Sequence, residues 1–465
     1  MFFNSLAFVV FLPTVVGLYW AIPSRLRVHL LLGASYVFYG WWDYRFLALI
    51  VLSTVTDFCV GRALASVERN TRRRQLLAVS VVTNLGVLAF FKYWGFFVDS
   101  AAALLSELGA EPNLPFLRVL LPVGISFYTF QTLSYTIDIY RGRLEPETSL
   151  SRFALFVAFF PQLVAGPIER ASNLLPQIRH LPTRVSQVAW GDSATLIARG
   201  LFRKVVIADG VAPMVNQVFG TPTRFGGLTI AFAVIGFSLQ IYGDFAGYTD
   251  IARGTAKLFG VDLMENFRAP YFARSFSDFW HRWHVSLSTW LRDYLYIPLG
   301  GSRGSVVATY RNLMITMVLG GLWHGAGWGF ILWGGLHGLY LVIERVFRER
   351  GYTSGIRQGQ LPAILVFLVV TLTWIPFRSP TFANAVDVVR GLFRPLDGQQ
   401  LLSAPVVLAL LGLATIAIDM AVLKGELNPL RRTAPFVRGI GYGTAVVAAL
   451  LFASRANVPF IYFQF

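Results

Sequence analysis

Cysteine and charge are both scarce in this chain. Its 465 residues include a single cysteine, Cys59, and only 14% are Asp, Glu, Lys or Arg. One cysteine excludes an intrachain disulfide framework and a multi-cysteine metal site. Soluble globular domains carry about 25% charged residues, so the low share argues against that class. The glycine motifs that bind nucleotide phosphates are also missing, which argues against an ATP-driven pump.

Apolar residues make up 55% of the chain, and the mean hydropathy is +0.57. A bilayer core about 30 Å thick requires about 20 apolar residues per helix. Stretches of that length run from one end of the chain to the other, which predicts an all-α polytopic membrane protein with roughly 11–13 segments in a single domain. The predicted segments lie near residues 2–22, 28–42, 45–66, 75–98, 116–139, 150–168, 226–247, 308–322, 326–346, 361–377, 401–423 and 436–455.

Two regions depart from a simple series of membrane helices. Residues 265–305 are aromatic, dense in charge and interrupted by prolines, and residues 319–338 are apolar but rich in glycine. Irregular backbone at membrane depth persists only where it is buried in protein or lines a wet cavity. These regions therefore predict re-entrant elements around a central funnel.

The net charge of +16 comes from 40 basic and 24 acidic residues. In a membrane protein this excess indicates basic cytoplasmic loops, and it does not predict a nucleic-acid partner. Arg25 and Arg27 lie in the first loop, and Arg69 with residues 72–74 lies in the third. This pattern places both loops inside and the N-terminus outside, in the periplasm. The first twenty residues lack a basic n-region, so we expect a retained helix and not a signal peptide.

His324 is the most unusual ionisable residue in the sequence. It lies in a predicted membrane segment, flanked by Trp323 and by small residues, in LWHGAGWG. An ionisable side chain within a membrane is costly and usually faces a cavity or a partner. Burial favours the neutral imidazole, the form that can accept a proton. From the residues alone, a structural histidine bonded across helices is an equally good interpretation.

His284 follows His281 by three residues in WHRWHVSLSTWLRDY. On a helix this spacing would place both imidazoles on one face. A metal site is not expected, because the HEXXH spacing and cysteine ligands are absent and no acidic residue lies between the two. The alternative to a reactive role is a structural histidine in a polar cluster that contains Arg282, Arg292 and Asp293.

Further polar side chains lie within apolar context. The stretch LQIYGDFAGYTD places Asp244 and Asp250 close to Tyr248. Internal salt bridges are the simpler interpretation of the carboxylates, and the wall of a polar funnel is the functional one. The candidates for a substrate channel are Trp323, Asp244, Tyr248, Arg282, Arg292 and Asp293.

The stretches FWHRWHVSLSTWLRDYLYIPLGGSR and NLMITMVLGGLWHGAGWGFILWGGLHG together resemble the membrane-bound O-acyltransferase (MBOAT) superfamily. The resemblance extends over roughly residues 90–340 through FFKYWGFF, LPVGISFYTFQTLSYTIDIYRG, FFPQLVAGPIER, LQIYGDFAGYTDIARG and MENFRAPY. It is closest to the bacterial branch that acts in alginate O-acetylation. The resemblance implies that His324 of GLWHG is the catalytic histidine and that His284 of RWHVSLSTW is the second site residue. The family often has Arg at the position of His281, which argues against a catalytic role for this residue.

The resemblance implies acyl transfer across the bacterial inner membrane. The donor would be a cytoplasmic thioester, acetyl-CoA or an acyl carrier protein, which acts as a substrate and not as a permanently bound cofactor. A neutral imidazole suits a hydroxyl attack on a thioester, and general-base catalysis contributes about 10²–10⁴ in rate. The second histidine would orient the first or donate to the developing oxyanion.

Relatives of this branch act with a separate periplasmic protein of the Ser-Gly-Asn-His (SGNH) type, which places the acetyl group on the polysaccharide. The resemblance therefore implies such a partner, with alginate, another exopolysaccharide, cellulose or peptidoglycan as the final acceptor. Two alternatives stay open from the sequence. One is D-alanyl transfer to teichoic acid, and the other is a transporter without catalysis.

Overall fold

The computed structural model describes residues 1–110, 120–351, 361–394, 398–401, 403–427 and short pieces beyond, at 433–437, 439–440, 443–444, 447 and 460–461. Within these residues the regular elements are helices and no β-strand occurs, so the predicted all-α class is confirmed. The chain groups into two compact units. Unit 1 holds residues 1–193 and 252–264, and unit 2 holds residues 194–251 and 265–465. A single membrane domain over the whole chain stays a prediction.

Unit 1 consists of helices and short turns. Its helices are α1 (Leu6–Ala21), α2 (Arg27–Asp43), α3 (Leu47–Ser66), α4 (Asn70–Leu88), α5 (Trp94–Glu107), α6 (Ile125–Tyr140), α7 (Leu150–Ala158), α8 (Phe160–Leu163) and α9 (Ala171–Arg179). A π-helical turn, Ala89–Tyr93, joins α4 to α5. The predicted segment 75–98 is therefore the middle of a longer helical stretch.

The predicted membrane segment at 150–168 is wrong. The helix α7 ends at Ala158, the next residue is extended, and α8 has only four residues. Nearly every side chain from 153 to 169 is buried within the protein. The run is apolar because protein covers it on all sides, and hydropathy cannot distinguish that environment from lipid.

A set of uncharged hydrogen-bond partners surrounds one buried carboxylate in unit 1. Asp57 is fully buried, and it accepts hydrogen bonds from the Ser80 hydroxyl at 2.5 Å and the Asn84 amide at 2.8 Å. No cation in the described part of the chain forms an ion pair with it. Polar side chains that bond across helices in this way hold membrane helices together. We call this set the neutral cluster: Ser53, Asp57, Ser80, Asn84, Thr132 and Thr136 of α3, α4 and α6.

Unit 2 carries the remaining helices, two of which, α10 and α12, cross the boundary in sequence. They are α10 (Trp190–Leu201), α11 (Asp209–Gly220), α12 (Gly227–Lys257), α13 (Phe276–Arg282), α14 (Val285–Leu291), α15 (Val306–His324), α16 (Trp328–Glu349), α17 (Leu361–Arg378), α18 (Phe382–Leu392) and α19 (Ala404–Leu423). Two π-helical turns follow α10 and α14, at Phe202–Ala208 and Arg292–Tyr296.

Buried ion pairs in unit 2 connect α10 and the π-helical turn after it to α12 and α19. Asp250 of α12 holds Arg199 at 2.6 Å and Arg203 at 2.7 Å, and Arg203 reaches Asp419 of α19 at 3.0 Å. Internal salt bridges, the simpler interpretation of the carboxylates on α12, are therefore present. We call this set the ion network: Arg199, Arg203, Lys204, Asp209, Tyr242, Asp244, Asp250 and Asp419.

Six helical stretches among the described residues are long and apolar enough to cross a membrane. They are Ser24–Ser66, Asn70–Glu107, Gly227–Lys257, Val306–His324, Trp328–Glu349 and Ala404–Leu423. Two shorter apolar helices, Leu6–Ala21 and Pro362–Arg378, accompany them. Most of the predicted segment at 436–455 lies outside the described residues. The region 265–305 forms short helical turns and no spanning helix, as its polar composition predicted.

Candidate active site

Two closely packed helices carry the GLWHG motif. The helix α15 ends at His324, residues 325–327 turn the chain, and α16 begins at Trp328. A Cβ atom on Gly321 would lie 2.2 Å from the carbonyl oxygen of Phe330, and one on Gly334 would lie 2.3 Å from that of Met317. Only glycine permits this approach. The glycines therefore pack α15 against α16 and fix where the helix that carries His324 ends.

Aromatic rings enclose His324. Its imidazole is 4% exposed. The ring centroids of Trp323, Trp333 and Phe377 lie 5.0, 5.1 and 5.5 Å from its own, all nearly edge to face. This arrangement suits aromatic packing and excludes bulk water from the imidazole. The prediction that His324 is buried between small and aromatic residues is confirmed.

His284 lies on irregular backbone. The helix α13 ends at Arg282, and His284 has φ of +43°, a left-handed conformation that is rare for residues with a side chain. The helical spacing expected for His281 and His284 is therefore wrong, because the helix ends between them. His281 is exposed, and its Nδ1 lies 2.6 Å from the Ser277 carbonyl oxygen.

Asn266, in the MENFRAPY stretch, holds this turn. Its backbone carbonyl accepts the Val285 N–H at 2.9 Å. Its side-chain oxygen accepts the Ser286 N–H at 3.1 Å and the Ser286 hydroxyl at 2.9 Å, and it lies 3.2 Å from His284 Nδ1. One asparagine thus satisfies two N–H groups at the start of α14, which stabilises the left-handed residue before it.

The two predicted histidines lie together. The ring centroids of His284 and His324 are 6.2 Å apart, and Trp323 contacts both rings. Phe245 of α12 packs edge to face on His284 at 4.6 Å, and Phe267 lies 6.3 Å away. His284 has no exposed surface. Residues that are 40 positions apart in sequence form one aromatic-walled imidazole pair.

Burial keeps His284 neutral. Removal from water lowers the pKa of its imidazole to about 3. Desolvation disfavours the charged form, and it is the largest cause of this shift. At neutral pH the ring therefore has one N–H and one lone pair.

The predicted channel residues fall into two groups. Trp323 contacts both histidines, and Tyr248 and Asp244 lie on α12 beside Phe245. Asp244 pairs with Lys204 at 2.7 Å and accepts the Ile461 N–H at 2.6 Å. The predicted funnel-wall carboxylate is thus part of the ion network.

The second group is paired locally. Arg282 bonds Asp278 at 2.8 Å, and Arg292 bonds its neighbour Asp293 at 2.8 Å, with the Arg292 side chain 55% exposed. The polar cluster expected around His284 therefore stays a prediction. The contacts of the His284 ring include Phe245, Phe267, Trp323, His324 and the Asn266 amide oxygen.

His337 is a third buried histidine, and it bonds to a hydroxyl group of a neighbouring helix. Its Nε2 lies 3.0 Å from the Thr373 hydroxyl, and its ring packs against Trp333 at 4.8 Å.

Among the described residues no group of three His, Cys, Asp or Glu side chains is placed to hold a metal ion.

The sequence is similar to a known family and to several named relatives. Residues 143–375 match the model of the membrane-bound O-acyltransferase family. The probable alginate O-acetylase AlgI of Azotobacter vinelandii is 39% identical over 505 aligned positions that cover 100% of both chains. The peptidoglycan O-acetyltransferase of Helicobacter pylori is 36% identical over 392 positions, 77% of this chain and 72% of the relative. The teichoic acid D-alanyltransferase of Streptococcus thermophilus is 30% identical over 282 positions, 56% of this chain and 66% of the relative.

A multi-helix membrane chain with a buried pair of imidazoles, one at the end of a helix and one on irregular backbone, has the features of a membrane-bound acyltransferase. The chain belongs to the membrane-bound O-acyltransferase family. It is a multi-pass membrane protein and an O-acyltransferase, so the transporter alternative is set aside.

Sequence reasoning did not single out five residues at this site: Asn266, Phe245, Phe267, Trp333 and Phe377. Asn266 carried the clearest available signal, a polar residue in a Pro-containing stretch too irregular for a lipid-facing helix. Phe245 and Phe377 resemble ordinary apolar helix residues. Only the tertiary structure places them against the histidines.

Proposed function

We propose that this protein transfers an acetyl group from a cytoplasmic thioester to a hydroxyl group, for O-acetylation of a cell-surface polysaccharide such as alginate. The observation that carries the proposal is the buried pair of His284 and His324, 6.2 Å apart within aromatic walls. A transfer site has to exclude water, because water competes with the acceptor for the thioester.

The acyl transfer requires a group with a lone pair that can accept the hydroxyl proton. The acceptor oxygen bonds to the thioester carbonyl carbon, the carbon–sulfur bond breaks, and the sulfur leaves as a thiolate. An imidazole takes the hydroxyl proton and returns it to the thiolate. His324 is the catalytic histidine in this proposal, as the family resemblance implies, and His284 is its partner. Such proton transfer contributes about 10²–10⁴ in rate.

The names of the relatives favour acetyl as the acyl group. The two with higher identity and coverage are named for O-acetylation, one of alginate and one of peptidoglycan. We take acetyl-CoA or an acetylated acyl carrier protein as the donor and a periplasmic SGNH-type protein as the partner. The proposed location is the bacterial inner membrane with the N-terminus in the periplasm, which follows the basic first and third loops.

D-alanyl transfer is the second candidate, supported by the D-alanyltransferase at 30% identity. The two candidates differ in donor. One requires an acetyl thioester, and the other requires a D-alanyl thioester on a carrier protein. Parallel assays with each labelled donor separate them.

The decisive experiment is complementation. An alginate-producing strain without its own membrane acetylase, but with the periplasmic partner, receives the native chain or a variant. O-acetyl groups on the secreted alginate are then measured. We expect the native chain to restore acetylation, His324→Ala to lose about 100-fold or more, and His284→Ala to lose strongly but less completely.

His281→Ala is the matched control, because His281 is exposed and lies three residues from His284. It should acetylate at the native rate. Membrane levels of each variant are measured by immunoblot. Full acetylation by a well-expressed His324→Ala variant would refute the catalytic assignment. Transfer from the D-alanyl donor alone, in the parallel assays with labelled donors, would favour the second candidate.

A further inference from the structure

The side-chain oxygen of Asn266 determines which nitrogen of His284 carries the proton. The hydrogen-bond network fixes both the orientation of an amide and the position of a ring proton. Here the network leaves one solution. The Ser286 backbone N–H can only donate, and it points at Asn266 at 3.1 Å. The amide oxygen must therefore face this turn.

The same oxygen lies 3.2 Å from His284 Nδ1. An amide oxygen has lone pairs and no proton, so a bond between these atoms requires the proton on Nδ1. Because the buried imidazole is neutral, its other nitrogen, Nε2, then has no proton. Geometry thus defines a single tautomer for His284.

We propose that Asn266 is a positioning residue that holds His284 as the Nδ1–H tautomer, so that Nε2 enters the reaction as a hydrogen-bond acceptor. This inference rests on the proposed function, and it decides between the two roles considered for His284. A bare Nε2 cannot donate to the oxyanion of a tetrahedral intermediate. His284 therefore takes part in the reaction through the lone pair of Nε2, which accepts a hydrogen bond.

The fold supports a dedicated role for Asn266. The residue is fully buried, and its backbone carbonyl also bonds the turn, at Val285. Its amide nitrogen has no hydrogen-bond partner among the described residues. A buried donor left unpaired is costly, which argues that the amide oxygen is the part of the side chain that the site requires.

The test reads the tautomer directly. The protein is labelled with ¹⁵N-histidine, purified in detergent, and studied by NMR at neutral pH, where protonated and bare ring nitrogens have well-separated shifts. A His284→Gln variant identifies the His284 signals by their loss. We expect a protonated Nδ1 and a bare Nε2 in the native chain. A protonated Nε2 in the native chain would overturn the proposal.

Substitutions at Asn266 then link the tautomer to the reaction. Asn266→Ala removes the acceptor, so we expect a mixed or reversed tautomer and a transfer rate lower by about 10²-fold at most, no more than in His284→Ala, because Asn266 acts through His284. In a serine-protease triad, loss of the residue that fixes the histidine tautomer lowers the rate by about 10⁴-fold. Asn266→Asp keeps an acceptor for Nδ1–H, so it should restore the tautomer and exceed the Ala variant by about tenfold or more.

Two controls separate tautomer from folding. Ser286→Ala removes one hydrogen bond to Asn266 but not the one to His284, so the tautomer should be native. Asn312→Ala removes a buried asparagine of α15 that bonds Gly301, and it should affect stability without changing the His284 signals. Native transfer by a folded Asn266→Ala variant would overturn the positioning role and leave the proposed function standing. The native tautomer in a chain without transfer activity would refute the proposed function alone.

Discussion

The neutral cluster of unit 1 surrounds one carboxylate, Asp57, with uncharged groups, whereas the ion network of unit 2 is an array of paired ions. In the neutral cluster, hydroxyl and amide groups satisfy Asp57. In the ion network, Asp250 faces two guanidinium groups and Asp419 faces one. Both sets join helices within an apolar chain, but they differ in what happens when one member is lost.

The ion network lies close to the histidine pair in the structure of unit 2. The ion network includes Asp244 and Asp250 of α12, the helix whose Phe245 packs on His284. The neutral cluster involves α3, α4 and α6 of unit 1. Substitutions in the ion network should therefore affect both folding and transfer. A series of Asp→Asn changes tests this, because each preserves shape and removes charge.

Asp250→Asn should have the largest effect. It leaves Arg199 and Arg203 buried with reduced counter-charge, and breaking a buried ion pair costs about 3–5 kcal/mol. We expect a large fall in the melting temperature of the purified protein and little protein in the membrane. A native melting temperature would show that the network contributes nothing to stability.

Asp419→Asn should have an intermediate effect. One guanidinium, that of Arg203, loses a partner, and the Tyr242 hydroxyl keeps an amide oxygen as acceptor. Loss of one charge-assisted hydrogen bond costs about 1.5–3 kcal/mol. Thermal unfolding measured beside Asp250→Asn checks the order, and a loss equal to or greater than that of Asp250→Asn would contradict it.

Asp57→Asn should have the smallest effect. No cation in the described residues pairs with Asp57, and the Ser80 hydroxyl can rotate to accept from the new amide. A neutral hydrogen bond exchanged for another changes stability by about 1 kcal/mol or less. The same unfolding assay applies, and transfer should be native. A loss as large as that of Asp250→Asn would mean that the neutral cluster depends on charge.

Part of this structure could be predicted from sequence. Long apolar stretches predicted helices such as α12 and α19, and the isolated His324 among glycines predicted a buried imidazole. Hydropathy failed at 150–168 because burial in protein and burial in lipid select the same residues. The pairing of Arg203 with Asp419 spans 216 positions and leaves no local pattern.

The geometry of the second histidine was beyond sequence reasoning for a different reason. The segment 281–284 suits a helix by its spacing, but the hydrogen bonds that Asn266 accepts from Val285 and Ser286 hold His284 in a left-handed conformation. Tertiary contacts overrode a local preference there. The same contacts create the feature that bears on chemistry, the single tautomer.

The packing of α15 on α16 affects how a mutational scan of this protein would be read. No side chain fits at Gly321 or Gly334, where an added Cβ would lie 2.2 or 2.3 Å from a carbonyl oxygen. Both positions should reject nearly every amino acid, and in an activity screen they would look as intolerant as His324. The cause is steric, so these variants should fail to accumulate, whereas a well-folded His324 variant should accumulate without activity. Measuring abundance beside activity assigns each position to its cause.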